Sequence, residues 1–434
     1  MKVVLLLNLM FLFVLCSFGQ PISLTEENPA DFYRPVNISG PEPGDLFREY
    51  TWTTEKFHVL SLDEKPFDIP GEIDLNDAIK AEIVMEIANQ HMGFEDMAIR
   101  INGNKWYPIG FPELSPVDPS PSLWFHHWYP TIPVVLTDIK SGSGNTFEMN
   151  IPARCFDGNI YPNGDKPLYP WCPVYGVTLR VYYDPDLKDH PDGRVLIPAA
   201  ERVIGLSAEL KANIKSDRSK IRQVDFIGRY EDINYQGDGV YYQWQYNLFH
   251  GKITNHLGSA FDPDSSVIWN TEWVPDQPGL IDIVARITDN TGLIYMTEAI
   301  SGLRLDRPGL SVELCKPFNV PRSFTSVQYG VWVIPGVRSE KFAIKGDIAN
   351  IIDARYIMAS WGDQKGCHGY SINGVQLQDN PGGENWLYNL TKTPVRPINV
   401  LRHGENTFST VVGEGRMPDI YLPGVQILIR YKKE

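Results

Sequence analysis

Six consecutive residues, Trp124-Phe125-His126-His127-Trp128-Tyr129, hold the densest grouping of ring side chains in the chain. Sugar rings have apolar faces that stack on Trp and Tyr, while their hydroxyls seek polar neighbours, so Trp124, His127, Trp128 and Tyr129 read as a glycan platform. Alternation along a strand sends half of such a run into a core, which is the competing expectation. The same alternation puts His126 and His127 on opposite faces, so the pair is not expected to ligate one metal ion. Further on, Trp386-Leu387-Tyr388 repeats two of the aromatics, and Trp386 and Tyr388 are taken as the matching ligand contacts.

A second polar-aromatic stretch contains Tyr235, Tyr242, Trp244 and His250. It sits in a long excursion from Tyr230 to Asp264, and structured excursions of that length often carry function. If the protein is an enzyme, His250, Asp232 and Tyr242 are its candidate catalytic groups, and Tyr235 and Trp244 contact ligand. Packing of this stretch against a neighbouring domain is the alternative. Asp232, Asn234 and Asp238 space oxygen-bearing side chains before a glycine, as at the start of a calcium loop. Gln236 and Gln243 stand where such a loop needs carboxylates, so the expectation is at most a loose structural calcium site.

The elements that position these residues are written twice. Phe67 to Ile73, Ile101-Asn102-Gly103, Asn145-Thr146-Phe147 and Gly176-Val177 recur in the same order as Phe342 to Ile348, Ile372-Asn373-Gly374, Asn406-Thr407-Phe408 and Gly424-Val425. Four signatures in one order argue for a duplicated β-rich domain. Ile83, Met85 and Ile87 fall on one face, and Val177, Leu179 and Val181 alternate with Thr178, Arg180 and Tyr182, as strands do. These four signatures resemble the galactose-binding-like jelly rolls found beside the catalytic domains of many secreted glycan-active enzymes. In that family they are scaffold positions: a hairpin tip, a turn before a core phenylalanine and a last strand. Tandem jelly rolls also occur in secreted glycoamidases and copper monooxygenases, but the copper pattern of clustered histidines followed by methionine is not found. Between the copies, Trp269 to Trp273, Pro278-Gly279, Ile281 to Ile287 and Asp289-Asn290-Thr291-Gly292 resemble bacterial immunoglobulin-like modules.

The bulk numbers fit this reading. The chain of 434 residues is long enough for about three domains, with 43% hydrophobic and 21% charged residues. Its 34 prolines and 36 glycines suit many strands and turns. A net charge of −14 disfavours a nucleic-acid partner, which needs basic patches. Lys2, the apolar run Val3 to Leu15 and the small residues around Gly19 read as a signal peptide over 1–19, which predicts a secreted or periplasmic protein with no transmembrane segment in the mature chain. Export permits disulfides, and pairing within domains predicts Cys155 with Cys172 and Cys315 with Cys367.

The expectation is therefore an all-β chain: a jelly roll over 45–192, an immunoglobulin-like domain with a long insert over 195–305 and a second jelly roll over 312–434. Its predicted role is recognition of extracellular carbohydrate through exposed aromatic surfaces. A glycan hydrolase or lyase with its site at a domain junction is one alternative, and a structural surface or matrix protein is another.

Overall fold

The computed structural model describes residues 40–60, 65–89, 97–110, 126–150, 172–197, 202–262, 264, 266–321, 336–361, 367–381, 388–412 and 419–433. Their regular structure is all-β, broken only by short 3-10 turns. The expected signal peptide, Trp124, Cys155 and Trp386 lie outside the described residues. Among the described residues no helix is long and apolar enough to cross a membrane.

The N-terminal third folds as two antiparallel sheets. One holds Leu46–Leu60, Cys172–Tyr183, Ala78–Asn89 and the short strands His126–Trp128 and Thr131–Val134. The other holds Phe67–Ile69, Asn145–Asn150, Ala98–Ile101 and Tyr107–Pro108. Ile83, Met85 and Ile87 from the first meet Ile99, Ile101 and Phe147 from the second in one buried cluster, as their alternation predicts. The C-terminal third has two sheets in a corresponding order. Leu310–Cys315, Gln426–Lys432, Ile351–Trp361 and Tyr388–Pro394 form one, and Gly336–Ile344, Gly404–Val412, Cys367–Ile372 and Val375–Gln376 form the other. Phe342, Tyr356, Met358, Tyr370 and Phe408 fill the space between them.

The two Asn-Gly turns show why the paired signatures recur. Asn102 and Asn373 both adopt φ 52°, and the following glycines have φ 70° and 79°, the left-handed pair that a tight hairpin requires. In each, the backbone N–H bonds the carbonyl of Thr146 or Thr407 at 2.9 Å, and that threonine's N–H returns to the asparagine Oδ1 at 3.0 Å. Asn102 Nδ2 donates to Asn145 Oδ1 at 2.8 Å, and Asn373 Nδ2 donates to Asn406 Oδ1 at 2.8 Å. Asn145 and Asn406 are buried and spend their remaining capacity on the turn before them, through Lys140 and Arg402. The motif is a backbone clamp, and its chemistry is structural.

The middle segment does not stand apart. Its strand Leu293–Met296 pairs with Leu46–Arg48 of the first sheet, so one sheet runs through both regions. Val195, Leu210, Phe226, Trp269, Ile281 and Ile287 form its own core. A further apolar cluster of Phe47, Tyr182, Ile227 and Val284 joins it to the first sandwich.

The expected disulfide staples are not formed at the two cysteines whose side chains are described. Cys172 and Cys315 are buried free thiols. Cys172 Sγ lies 3.5 Å from the Ala88 carbonyl inside the first core. Burial pushes both thiols far above the usual range, so they behave as small core residues.

Replacing Asn102 or Asn373 by alanine removes three side-chain bonds and leaves a left-handed residue without its tolerance for that region. Each change is expected to lower unfolding free energy by about 1–3 kcal/mol in urea denaturation. Loss in one sandwich only would show that the two clamps are not equivalent.

Candidate functional site

The outer face of the first sandwich carries the polar half of each alternating strand. Glu82 and Glu86 come from one strand, Thr178 and Arg180 from its neighbour, and Glu49 and Thr51 from the next. This face is covered rather than solvated. The hairpin Asn247–Phe249 and Lys252–Thr254 lies on it, turning through His250 and Gly251 at φ 48° and 72°. A Cβ on Gly251 would come within 2.7 Å of Thr51 Cγ2, so the approach needs glycine. Tyr388 and Tyr421 of the C-terminal third pack beside Ala88 and Tyr175 at the other end of the face.

Four residues singled out by sequence meet here. His127 is 1% exposed and its ring stacks on Tyr388 with centroids 3.9 Å apart. His127 Nε2 is 3.3 Å from Glu86 Oε1 and 3.2 Å from the Tyr129 hydroxyl. Glu86 Oε2 accepts from the His250 N–H at 2.7 Å. His250 Nδ1 donates to the Thr54 carbonyl at 2.7 Å, which fixes its tautomer. Asn247 Nδ2 donates to the Tyr129 hydroxyl oxygen, while its Oδ1 accepts from Thr254 Oγ1 at 3.0 Å and Asn255 Nδ2 at 2.7 Å.

Burial decides the charge of this cluster. It pushes the Glu86 carboxyl up to about 8, against the pull of the His250 amide, and pushes the His127 imidazole down to about 3. At neutral pH the close Glu86–His127 contact is therefore between a carboxylic acid and a neutral ring, not an ion pair.

The next stretch of the same face is ionic. Arg180 donates to Glu49 at 2.8 Å and to Glu82, and Arg286 of the middle segment donates to the other Glu49 oxygen at 2.8 Å. Burial alone would raise the Glu49 carboxyl, but Arg286 and Arg180 outweigh it and hold it at about 2. Two arginines and two glutamates leave this patch with no net formal charge.

Between the neutral cluster and the ionic patch lies a pocket of about 120 Å³. Tyr129, Thr131 and Arg180 form the first-sandwich wall, and Gln236, Trp244, Tyr246 and Asn247 the insert wall. Gly40 to Glu42 close one side, where Trp244 Nε1 donates to Glu42 Oε2 at 3.3 Å. The volume holds about four waters at roughly 30 Å³ each, less than a whole sugar ring, so a sugar would enter it only in part.

The remaining sequence candidates fall elsewhere. Trp128 points opposite to His127 and is 1% exposed in the first core. Tyr235 is buried, donates to the Tyr246 carbonyl at 2.9 Å and supports the pocket from behind. Tyr242 is exposed and donates to the Leu280 carbonyl at 3.0 Å, outside the pocket. Asp232 also lies outside the lining; burial pushes its carboxyl up to about 6, opposed by Lys392. Asn234 Oδ1 accepts from the amides of Gln236 and Gly237, and Asp238 Oδ1 from Val240. Asn234 also exchanges two backbone bonds with the Gln426 side chain, so this loop docks the insert on the C-terminal third. Among the described residues no three His, Cys, Asp or Glu side chains gather as a metal site. A Ser259–Asp225 bond with His256 Nε2 2.7 Å from Ser259 has the carboxylate on the serine instead of on the histidine, which is not the order of a nucleophilic triad.

Sequence reading missed Glu86, Asn247, Arg180 and Glu42. Alternation marks Glu86 and Arg180 only as outward-facing, and nothing local distinguishes a solvated face from one covered by another domain.

No protein-family model matches the chain, and no curated protein matches it. Among solved structures, a β-porphyranase of glycoside hydrolase family 86 from the human gut bacterium Bacteroides plebeius aligns over 57% of this chain and 38% of its own length, at 12% identity and a TM-score of 0.21. A DUF4785 family protein from Legionella pneumophila aligns over 91% of this chain and 86% of its own length, at 10% identity and a TM-score of 0.22. A β-glucuronidase from Ruminococcus gnavus in complex with D-glucuronic acid aligns over 64% and 40%, at 12% identity and a TM-score of 0.19. This chain thus spans well under half the length of the two glycosidases, and likeness at this level carries no argument about activity.

The two buried groups make opposite contributions to stability with pH. Unfolded Glu86 loses its proton near 4.5 and the folded form near 8, so its contribution is full below 4.5 and is lost as pH rises to 8. His127 contributes above 6.5, and that contribution is lost as pH falls toward 3. From pH 4.5 to 6.5 the slopes cancel, and above 6.5 Glu86 acts alone. Glu86→Gln is expected to gain on wild type by a few kcal/mol between pH 4.5 and 8, at about 1.4 kcal/mol per unit. Urea denaturation across that range checks it, and parallel profiles for the two proteins would refute it.

Proposed function

We propose that this is an exported glycan-recognition protein, built from two jelly rolls around an immunoglobulin-like domain, and that its site is the pocket between the first sandwich and the insert. The observation that supports this most is the pocket lining. Trp244 and Tyr246 offer ring surface for a sugar, and Gln236 and Gln243 offer amides for its hydroxyls. The reading departs from an exposed aromatic platform, because His127, Tyr129, Tyr235 and Tyr388 are all buried.

Charge narrows the ligand. Arg180 is matched by Glu49 and Glu82, and the group left over at the mouth is Glu42. A neutral or amine-bearing sugar therefore suits the site better than a uronate, whose carboxylate would meet Glu42 with no unpaired cation among the described lining residues to offset it.

The second reading is a glycan-degrading enzyme at the same junction. It is favoured by Glu86, a carboxyl that keeps its proton at neutral pH and lies 3.3 Å from His127, directly behind Tyr129.

Screening on an array of neutral, amino and uronic-acid glycans, followed by calorimetry on the hits, separates the readings. Binding of neutral or amino sugars without product, weakened about tenfold by Trp244→Ala (roughly 1.4 kcal/mol), is expected for recognition. Release of reducing or unsaturated sugar that is abolished by Glu86→Gln would favour the enzyme. Binding that ignores Trp244→Ala would sink the pocket assignment.

A further inference from the structure

Tyr129 belongs both to the buried cluster and to the pocket lining, and the protons around its hydroxyl can be counted. Asn247 Oδ1 already accepts from Thr254 and Asn255, which fixes the amide orientation and leaves Nδ2 facing Tyr129. An amide nitrogen only donates, so the phenolic oxygen accepts this bond. The second neighbour is His127 Nε2 at 3.2 Å, and the ring is neutral, with one proton on either nitrogen.

If that proton is on Nε2, the imidazole is a second donor to the phenolic oxygen. Both lone pairs are then filled, and the Tyr129 proton must point away. If it is on Nδ1, then Nε2 has a single lone pair, for which Tyr129 and the Glu86 carboxyl 3.3 Å away compete. Glu86 Oε1 is buried and makes no hydrogen bond elsewhere, so a carboxylic acid there can direct its proton only at Nε2, 3.3 Å away, and Tyr129 then finds no free lone pair on the ring. In both arrangements the Tyr129 proton is not spent on His127, and Tyr129 lines the pocket. Burial, with Glu86, Tyr388 and Tyr235 nearby, pushes the phenol far above its usual range, so it keeps that proton.

We propose that Tyr129 presents its O–H to the pocket as one oriented donor, held by Asn247 and backed by His127, and that it reads a single acceptor oxygen of the bound sugar. This rests on the pocket being a sugar site. Ligand hydroxyls can adapt by rotating, but a ring or glycosidic oxygen has no proton of its own and is recognised only by a donor aimed at it. Tyr129 is thus a specificity-determining residue, and Asn247 positions it.

The test is a coupling measurement by calorimetry. The probes are the methyl glycosides of glucose, galactose and N-acetylglucosamine, with their 1-thio, ring-thio and monodeoxy analogues, against wild type, Tyr129→Phe, Asn247→Asp and Trp244→Ala. Tyr129→Phe is expected to weaken the parent glycoside about two- to tenfold. The replacement of one oxygen should cost affinity in wild type and nothing in Tyr129→Phe. Asn247→Asp puts an acceptor beside the phenol and turns its proton inward, so it should reproduce that loss even if the phenylalanine variant does not fold. If Trp244→Ala weakens binding while Tyr129→Phe and Asn247→Asp leave every analogue ranked as in wild type, the donor assignment is overturned and the pocket stands. If wild type binds none of the probes, the pocket reading falls and this assignment falls with it.

Discussion

A sheet face bearing Glu49, Glu82, Glu86, Arg180 and His127 can be covered by other parts of the chain only if each charge is matched or given up. Transfer of an unpaired ion out of water costs several kcal/mol even after relaxation, which is comparable to the whole stability of a domain. This chain uses both solutions side by side. Arg180, Glu49, Glu82 and Arg286 pair, and Arg286 comes from the middle segment. Glu86 and His127 have no such partner and are held neutral by their surroundings. The boundary between the paired and the neutral halves is where the pocket opens.

The insert is what makes that boundary a pocket. A hairpin with two left-handed residues at its tip brings His250 and Gly251 down onto Thr51, and its first strand delivers Asn247 to Tyr129. The preceding loop fixes the same insert to the C-terminal third through Asn234 and Gln426. Gly237 is part of that contact, since a Cβ there would lie 2.6 Å from Leu422. The excursion therefore has two anchors, and the side chains between them, Trp244 and Tyr246 included, are held at fixed positions over the first sandwich. A binding site gains from this arrangement because less side-chain freedom remains to be lost when a ligand enters.

Several features were legible in the residues alone because their cause is local. Period-two alternation placed Ile83, Met85 and Ile87 inside, since neighbouring strand residues must face opposite ways. The Asn-Gly pairs announced their turns, since few other residues tolerate the left-handed region. Of the residues in the aromatic runs, His127 meets Tyr129 and Tyr388, and Trp244 lines the same pocket as Tyr129. The cysteine reading failed because chain position says nothing about Sγ geometry: Cys172 faces a core and the Ala88 carbonyl. The calcium-like spacing proved equally ambiguous, because the oxygens that ligate ions also satisfy backbone amides, and in Asn234 and Asp238 they bond to amides.

The order of side chains along each strand, the hairpin tips and the all-β class follow from the sequence itself, because each is decided within a few residues by sterics and hydrogen bonding. Which outward face would be covered, and by what, followed only from the tertiary structure. Glu86 and Arg180 look like solvated strand residues until Asn247, Arg286 and Tyr388 arrive from positions far along the chain. The loss of charge on Glu86 and His127 comes from that burial, and removal from water is a property of the assembled surface rather than of any segment of it.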